Sequence, residues 1–491
     1  MIQKQKHFAR KEKVFGQFMT PVEVANFIVD FAMICLKHKP RLAIDPACGD
    51  GVFLRALLRK GIDEVVGVDI DEKVIPLDLK DKCKILAPKD GLQTLDEKYE
   101  GKADIVVGNP PFSAKYGRMT DKLILSRFKL GRGRLSQAIE ILFLERFIQL
   151  AKSGGIIGII LPSGIFTNIP LQYVRDFIIE NTKILGIISL PRRIFKGDTT
   201  SKTYILIAEK TRNLNNSVFM GIAETLNDLP DILKAYTKGE INPPKAFWSN
   251  ITPENLTPEF YYKLVKLELQ IKESVGNELK IVKLGDLIFE MRVGKTMYGR
   301  ARKFSNYGVR YISAKTITPL GIDFSKEDRG RLFVDPGTKM YDPKSHVKVG
   351  DLLFVRVGVG CIGRAAVVTN EEERGVADDW IYIIRLKNES LAYFLAFYFY
   401  SKYGSSQIDL LKRGVGTVTI PQSLLKEVFV PLLPEKELNK FKEYYLEMVR
   451  LRKEGHVSKA QEIFNFAIKS IEELLSKSES VKGDGVNSLV I

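Results

Sequence analysis

Apolar residues in the first part of the chain follow two rhythms. Short, nearly unbroken apolar runs at 42–45, 65–69, 103–108, 156–161, 184–190 and 203–208 have the length and composition of strands covered on both faces. Between them the spacing changes to three and four. Val24, Phe27, Ile28 and Phe31 share one face of a segment over 22–35 that begins just after Pro21, a residue suited to a first helical turn. A second helix is expected over 52–60. A third is expected over 138–152, where Ile141, Leu142, Leu144, Phe147 and Ile148 repeat before Ser153-Gly154-Gly155 stops them. Strands alternating with helices predict an α/β domain with a Rossmann-like sheet over residues 1–210.

The rhythm is lost over 211–280, where Pro230, Pro243, Pro244, Pro253 and Pro258 interrupt it, and this stretch reads as a helical connector. From 281 short strands with glycine turns return and predict an α+β domain reaching 433. Over 434–477 the period is helical. Leu438, Phe441, Tyr445 and Met448 form one stripe, and Val457, Ala460, Phe464, Ala467, Ile471 and Leu474 another, each spaced like a coiled-coil seam. Gly455 separates them, and Ser458 with Gln461 is placed as a capping box, so a helical hairpin is expected. The tail 478–491 is expected to be disordered.

Two strand ends carry candidate chemistry. The run 42–45 leads into Pro46-Ala47-Cys48-Gly49-Asp50-Gly51, a glycine turn opening a helix, and the run 65–69 ends in Asp69. Strand, glycine turn, helix, strand and acid compose a nucleotide-binding unit in which the acid suits ribose hydroxyls. The turn lacks G-x-G-x-x-G, so a nucleoside-bearing cofactor without phosphates fits, and S-adenosylmethionine is the common one. The run 103–108 stops at Asn109-Pro110-Pro111-Phe112, because proline can neither donate to a sheet nor continue a strand. A stiff loop presenting an amide, a proline carbonyl and a ring suits a flat heterocycle with an exocyclic amine. Asn109 Oδ1 and the Pro110 carbonyl each accept one amine hydrogen while Phe112 stacks on the ring.

FGQFMTP (15–21), DPACGDGVFL (45–54), VVGVD (65–69), KDGL (89–92) and GNPPF (108–112), in that order, resemble the motifs of the DNA amino-methyltransferases. The resemblance is to the gamma class and to the modification subunits of type I restriction systems. It implies that Thr20 and Pro21 flank the methionine end of the cofactor and that Asp45, Ala47 and Gly49 line its amino-acid pocket. It also implies that Asp69 takes the ribose hydroxyls, Asp90 the adenine amine, and Asn109 touches both cofactor and target. Phe195 is implied to stack on the flipped base opposite Phe112. The implied reaction is site-specific methylation of adenine N6 in double-stranded DNA. None of the four cysteines follows a proline, which argues against the nucleophile of cytosine C5 methylation; cytosine N4 stays open chemically, and NPPF in place of a serine-led motif leans to adenine.

Lys283-Leu284-Gly285-Asp286, Tyr311-Ile312-Ser313-Ala314-Lys315, Val349-Gly350-Asp351-Leu352-Leu353-Phe354, 414–420 and Pro431-Leu432-Leu433-Pro434 resemble one target-recognition domain of a type I specificity subunit. DNA-binding candidates there are Arg292, Lys295, Lys315, Arg356 and Arg413. The alternatives are an RNA base methyltransferase, which leaves this second region unexplained, and a DNA-binding subunit without catalysis, which leaves the NPPF loop unexplained.

A net charge of +16 and a pI near 9.3 favour a polyanionic partner. Four cysteines and four histidines, none in metal-type spacing, predict no structural zinc and a reducing, cytoplasmic setting. No apolar run is long enough to span a bilayer. Gly358-Val359-Gly360-Cys361-Ile362-Gly363 matches G-x-G-x-x-G, but β-like residues follow where a helix is required. Cleavage, if coupled, is expected from a separate restriction subunit, and the helical seams and single recognition domain suggest a homodimer.

Overall fold

The computed structural model describes residues 20–476 except 193, 195–201, 212–216, 276–278, 328–329 and 415, together with the backbone alone at 115. Phe195 and the tail therefore lie outside the described residues. The chain divides into two compact units, Met1–Tyr262 and Lys263–Ile491.

The first unit is built on the predicted alternation. Its strands are β1 Leu42–Asp45, β2 Glu64–Val68, β3 Lys84–Leu86, β4 Ala103–Gly108, β5 Ala151–Pro162, β6 Lys183–Ser189, β7 Thr203–Glu209, β8 Ser217–Ile222 and β9 Ala246–Asn250. They form one sheet in the order β9-β8-β6-β7-β5-β4-β1-β2-β3. β4, β1, β2 and β3 run parallel in direct neighbourhood, β5 joins them parallel through β4, and β7 inserts antiparallel between β5 and β6. Strand order reverses at β1 and β4, both of whose ends carry the candidate motifs. That position is a topological switch point, where open α/β sheets hold ligands.

Every residue of β4 is buried, as its apolar composition requires. Helix α1, Val22–Cys35, covers the sheet with Val24, Phe27, Ile28 and Phe31, all buried as their spacing predicts. It lies so close that a Cβ on Gly158 of β5 would sit 2.4 Å from Ile28. Each such fully buried side chain contributes about 1.5–3 kcal/mol relative to exposure. At the amino end of β4, Asp104 accepts from the Arg41 and Leu42 amides (2.8 and 3.0 Å) and from His38 (2.9 Å), and pairs with Lys152. Burial raises its pKa, but these donors outweigh burial and hold the carboxyl well below its ordinary range.

Three expectations are corrected here. The stretch read as a helical connector contains β8 and β9, with helix α4 Leu229–Lys238 between them. β8 pairs parallel with β6 and β9 antiparallel with β8, and Tyr236 of α4 lies 4.3 Å from the Phe31 ring. The prolines lie in or beside the connections rather than inside these strands, so breaking the pattern did not break the sheet. The helix expected over 138–152 is α3, Ile139–Leu150, and it ends before the glycines. Ala151 is already extended, and Gly154 (φ 76°) sits in the irregular start of β5 where its N–H reaches Lys210 O at 2.8 Å.

The second unit has short strands and turns over 281–433, as expected. β10 Ile288–Val293, β11 Leu352–Val355, β12 Ala365–Val367 and β13 Ile381–Leu386 form an antiparallel sheet in the order β10-β13-β11-β12. Helix α5, Ser390–Tyr398, is buried at every position. Helices α6 Glu435–Lys453 and α7 Val457–Ser476 are separated at Gly455 (φ 87°), giving the hairpin.

The third correction concerns that hairpin. Val457 already belongs to α7, and Gln461 bonds Asn465 (3.0 Å) rather than closing a capping box with Ser458. Val457 is exposed, and the seam closes through Leu475 instead of Leu474. Its partner is inside the chain. Phe441 lies 5.5 Å from Phe394, and Tyr445 and Phe464 lie 5.6 and 5.9 Å from Phe397 of α5.

Candidate active site

The carboxyl ends of β1, β2 and β4 enclose a cavity of about 470 Å³. Its floor is the turn after β1. There the Cys48 N–H bonds Val68 O (2.9 Å), the Gly51 N–H bonds Cys48 O (2.8 Å), and Gly51, in the left-handed region (φ 75°), opens helix α2, Val52–Arg59. A Cβ at Gly51 would lie 2.1 Å from Leu79, and one at Gly91 would lie 1.9 Å from Pro46 O. Glycine is therefore required in the turn where it meets Leu79, ahead of β3, and in the loop after β3 where it meets the turn.

Asp69, just past β2, accepts from the Gly49 N–H (2.8 Å) and the Asp71 N–H (2.9 Å). Burial is the larger influence and raises its pKa above the ordinary carboxylate value against these bonds. Asp90 accepts from the Leu92 N–H at 2.9 Å through one oxygen. Asp50, Asp69, Asp71, Asp90 and Asp121 all line the cavity, with Arg118 as the one cation among its described lining residues. Such a wall repels phosphate and suits a cationic ligand.

At the end of β4, Asn109 Nδ2 donates to Thr20 Oγ1 (3.1 Å), which fixes the amide plane. Its Oδ1 is buried and has no hydrogen-bond partner among the described residues. An unmet buried acceptor costs about 1–3 kcal/mol, so one at a cavity wall marks a place where a donor belongs. Phe112 is half-buried beside it. The next residue, Ser113, is held by Glu140 of α3, whose carboxylate accepts from the Ser113 N–H (2.8 Å) and hydroxyl (3.0 Å).

Of the residues singled out in the sequence, Thr20, Ala47, Gly49, Asp69, Asp90, Asn109, Pro110, Pro111 and Phe112 line this one cavity. Pro21 does not; its carbonyl accepts from the Val24 and Ala25 amides (3.1 and 3.2 Å) at the start of α1. Asp45 does not line it either. It is fully buried under the turn, accepts from the Ala47 N–H (3.0 Å), and leaves Gly108 no room for a Cβ, which would fall 2.6 Å from its Oδ1. Burial pushes its carboxyl well above the usual range. Ile139 and Phe143 of α3, Tyr116 and residues 118–121 also line the cavity and were not anticipated, and neither was Glu140. Nothing in their spacing marks them, since they reach the site only when α3 folds back.

In the second unit the basic candidates are placed differently. Arg292 donates to Lys344 O (2.7 Å) and lies 3.3 Å from Glu290, Lys295 lies 3.5 Å from Asp342, and Arg356 donates to Asp379 O (2.8 Å). Arg413 is half-buried and bridges Thr419 through its backbone, while Lys315 is exposed. The turn 358–363 is followed by strand β12 and not by a helix, as expected.

Fold and site together define a Rossmann-like α/β protein with a nucleoside-sized acidic cavity and an amide acceptor at its wall. The N-6 DNA Methylase family profile matches residues 77–270. The type II methyltransferase M.HincII of Haemophilus influenzae is 24% identical over 214 residues, covering 42% of this chain and 39% of that protein. M.BanIII of Aneurinibacillus aneurinilyticus is 26% identical over 242 residues, covering 42% and 40%. The chain thus spans about two fifths of the length of these curated relatives. Among solved structures, a putative class I S-adenosylmethionine-dependent methyltransferase from Listeria monocytogenes is 28% identical with a TM-score of 0.38, covering 45% of this chain and 71% of that one.

Proposed function

We propose that this chain transfers a methyl group from S-adenosylmethionine to N6 of an adenine flipped out of duplex DNA, as the modification enzyme of a restriction-type system. The observation that carries this reading is Asn109 Oδ1, buried, without a partner among the described residues and held in orientation by Thr20. The cavity supports the cofactor assignment by its size, by Asp69 at the end of β2, and by carboxylates that favour a sulfonium over a phosphate. When bound, S-adenosylmethionine supplies an electrophilic methyl group.

The chain's own residues orient the acceptor. Asn109 Oδ1 and the Pro110 carbonyl take the two amine hydrogens, which turns the nitrogen lone pair out of the ring and toward the cavity. As positive charge develops on that nitrogen, both acceptors bind it more strongly than they bind the neutral amine, so they lower the barrier and not only the ground state. Phe112 stacks on the base, worth about 1–3 kcal/mol, which offsets a flipping cost of a few kcal/mol. The remainder is positioning. The second unit serves to select the sequence; of its basic candidates, Lys295 and Lys315 are exposed.

The test is nucleoside mass spectrometry of unmethylated genomic DNA, and of transcripts, after incubation with the protein and S-adenosylmethionine. N6-methyladenine in DNA is expected. Methylation of transcripts alone, or of neither despite cofactor binding, would refute it.

A further inference from the structure

The segment 117–136, between the NPPF loop and α3, carries six basic residues, Arg118, Lys122, Arg127, Lys129, Arg132 and Arg134, against one acid, Asp121. All six are exposed, and among the described residues none of them is ion-paired to a carboxylate. That sets them apart from the basic residues of the second unit, of which Arg292 and Lys295 already face acids.

The segment is held firmly from beneath. Leu125, Phe128 and Leu130 are buried, and buried Glu145 accepts from the Lys129 and Leu130 amides at 2.8 Å each. Gln137 donates to Leu130 O (2.6 Å), and Arg118 and Met119 pair with Ala138 and Gln137 as a short antiparallel ladder. Its one acid is spent locally, since Asp121 accepts from the Leu123 and Ile124 amides (2.8 and 3.2 Å). Residues 118–121 also form part of the cavity wall. Leu123 (76% exposed) and Leu135 (89% exposed) project between the charges.

A rigid surface element with unneutralised charge raises the free energy of the isolated protein by self-repulsion, and counterion release on meeting a polyanion reverses that cost. The signs are arranged in space: five carboxylates line the cavity with Arg118 alone of the cations, and Lys122, Arg127, Lys129, Arg132 and Arg134 are not among its lining residues but stand on the segment that forms one wall. We propose that residues 117–136 are an arm gripping the phosphodiester backbone of DNA beside the cavity mouth, so that the strand carrying the target base is delivered by the catalytic unit itself. This inference rests on the methyltransferase reading above.

The experiment compares the full chain with the Lys122→Gln, Arg127→Gln, Arg132→Gln triple variant. These three side chains are exposed, whereas Arg118 bonds Ser136 and Arg134 lies over the Tyr173 ring, and both are left in place. Binding to a labelled duplex of random sequence is followed by anisotropy across a salt series. If each cation meets one phosphate, the slope of log K against log salt becomes shallower by about 2.7, about a 40-fold smaller loss of affinity between 50 and 200 mM salt. S-adenosylmethionine affinity, read by calorimetry, stays within about threefold because the three residues do not line the cavity.

A control variant, Lys37→Gln, Lys102→Gln, Lys183→Gln, removes equal exposed charge near the amino ends of β1, β4 and β6 and is expected to change the slope by less than one. An unchanged slope in the arm variant overturns the proposal, as does an equal change in the control or a change seen with single-stranded RNA and not with duplex DNA. If the wild type methylates DNA while the arm variant keeps its slope, the arm is wrong and the enzyme reading stands. If the wild type neither binds nor methylates DNA, both fall.

Discussion

Replacing Asn109 by alanine removes two things of different value. The first is the bond from Nδ2 to Thr20 at 3.1 Å, a neutral, partly buried hydrogen bond worth about 1 kcal/mol net. The second is the unpartnered Oδ1, the acceptor that binds the amine more strongly as it becomes cationic. Removal of one preorganised hydrogen-bonding group facing developing charge in a water-excluded site costs about 2.7–4 kcal/mol, or about 10²–10³ in rate. Asn109→Ala is therefore expected to lower single-turnover methyl transfer by that factor while cofactor affinity changes by less than about fivefold. The assay is transfer of a radiolabelled methyl group to unmethylated DNA, with calorimetry for the cofactor. Thr20→Val separates the two contributions, because it breaks the same bond but keeps Oδ1, and should cost tenfold or less. A rate loss below tenfold in Asn109→Ala, or equal losses in both variants, would refute the acceptor role.

Four further outcomes are expected. Asp69→Ala should weaken S-adenosylmethionine binding by about ten- to hundredfold in calorimetry, since it removes acceptors for two hydroxyls. In the wild type, binding should weaken on acidification at a higher pH than an ordinary carboxylate implies, because burial raises the Asp69 pKa and protonation removes its acceptors. Asp104→Asn should lower stability by about 1–3 kcal/mol near neutrality in denaturant titrations. The Asp104 pKa is depressed in the fold, so its contribution is present above the unfolded carboxylate pKa and lost as pH falls through the folded one; wild type and variant should converge in acid. Phe441→Ala should cost about 3–5 kcal/mol, because that ring fills the space against Phe394 and Phe397, and an unchanged melting temperature would contradict the intrachain packing of the hairpin.

The sequence by itself determined the parts of this protein whose physics is local. A buried strand stopped by two prolines, a turn that needs glycine at 49 and 51, and an acid at a strand end declare themselves within a few residues, because backbone sterics and apolar periodicity act at short range. The residues those signals mark, Gly49, Asp69, Asn109, Pro110, Pro111 and Phe112, line one cavity, where Thr20, Ala47 and Asp90, implied by the resemblance, join them.

Only the tertiary structure decided what depends on long-range neighbours. β8 is a strand because β6 offers an edge to pair with, and β9 because β8 does in turn, while the reversed direction of β7 has no local signature. Asp45 is turned under the turn while Asp69 meets the cavity, though both close an apolar strand. Glu140 becomes the anchor of the NPPF loop only because α3 returns across it, and Asn109 Oδ1 is left unmet only because Thr20 takes the other end of the amide. The seams of α6 and α7 specified that something apolar must cover them but not what. Helix α5, far off in sequence and folded against both, supplied the answer, since burial is indifferent to whether the covering surface comes from the same chain or another.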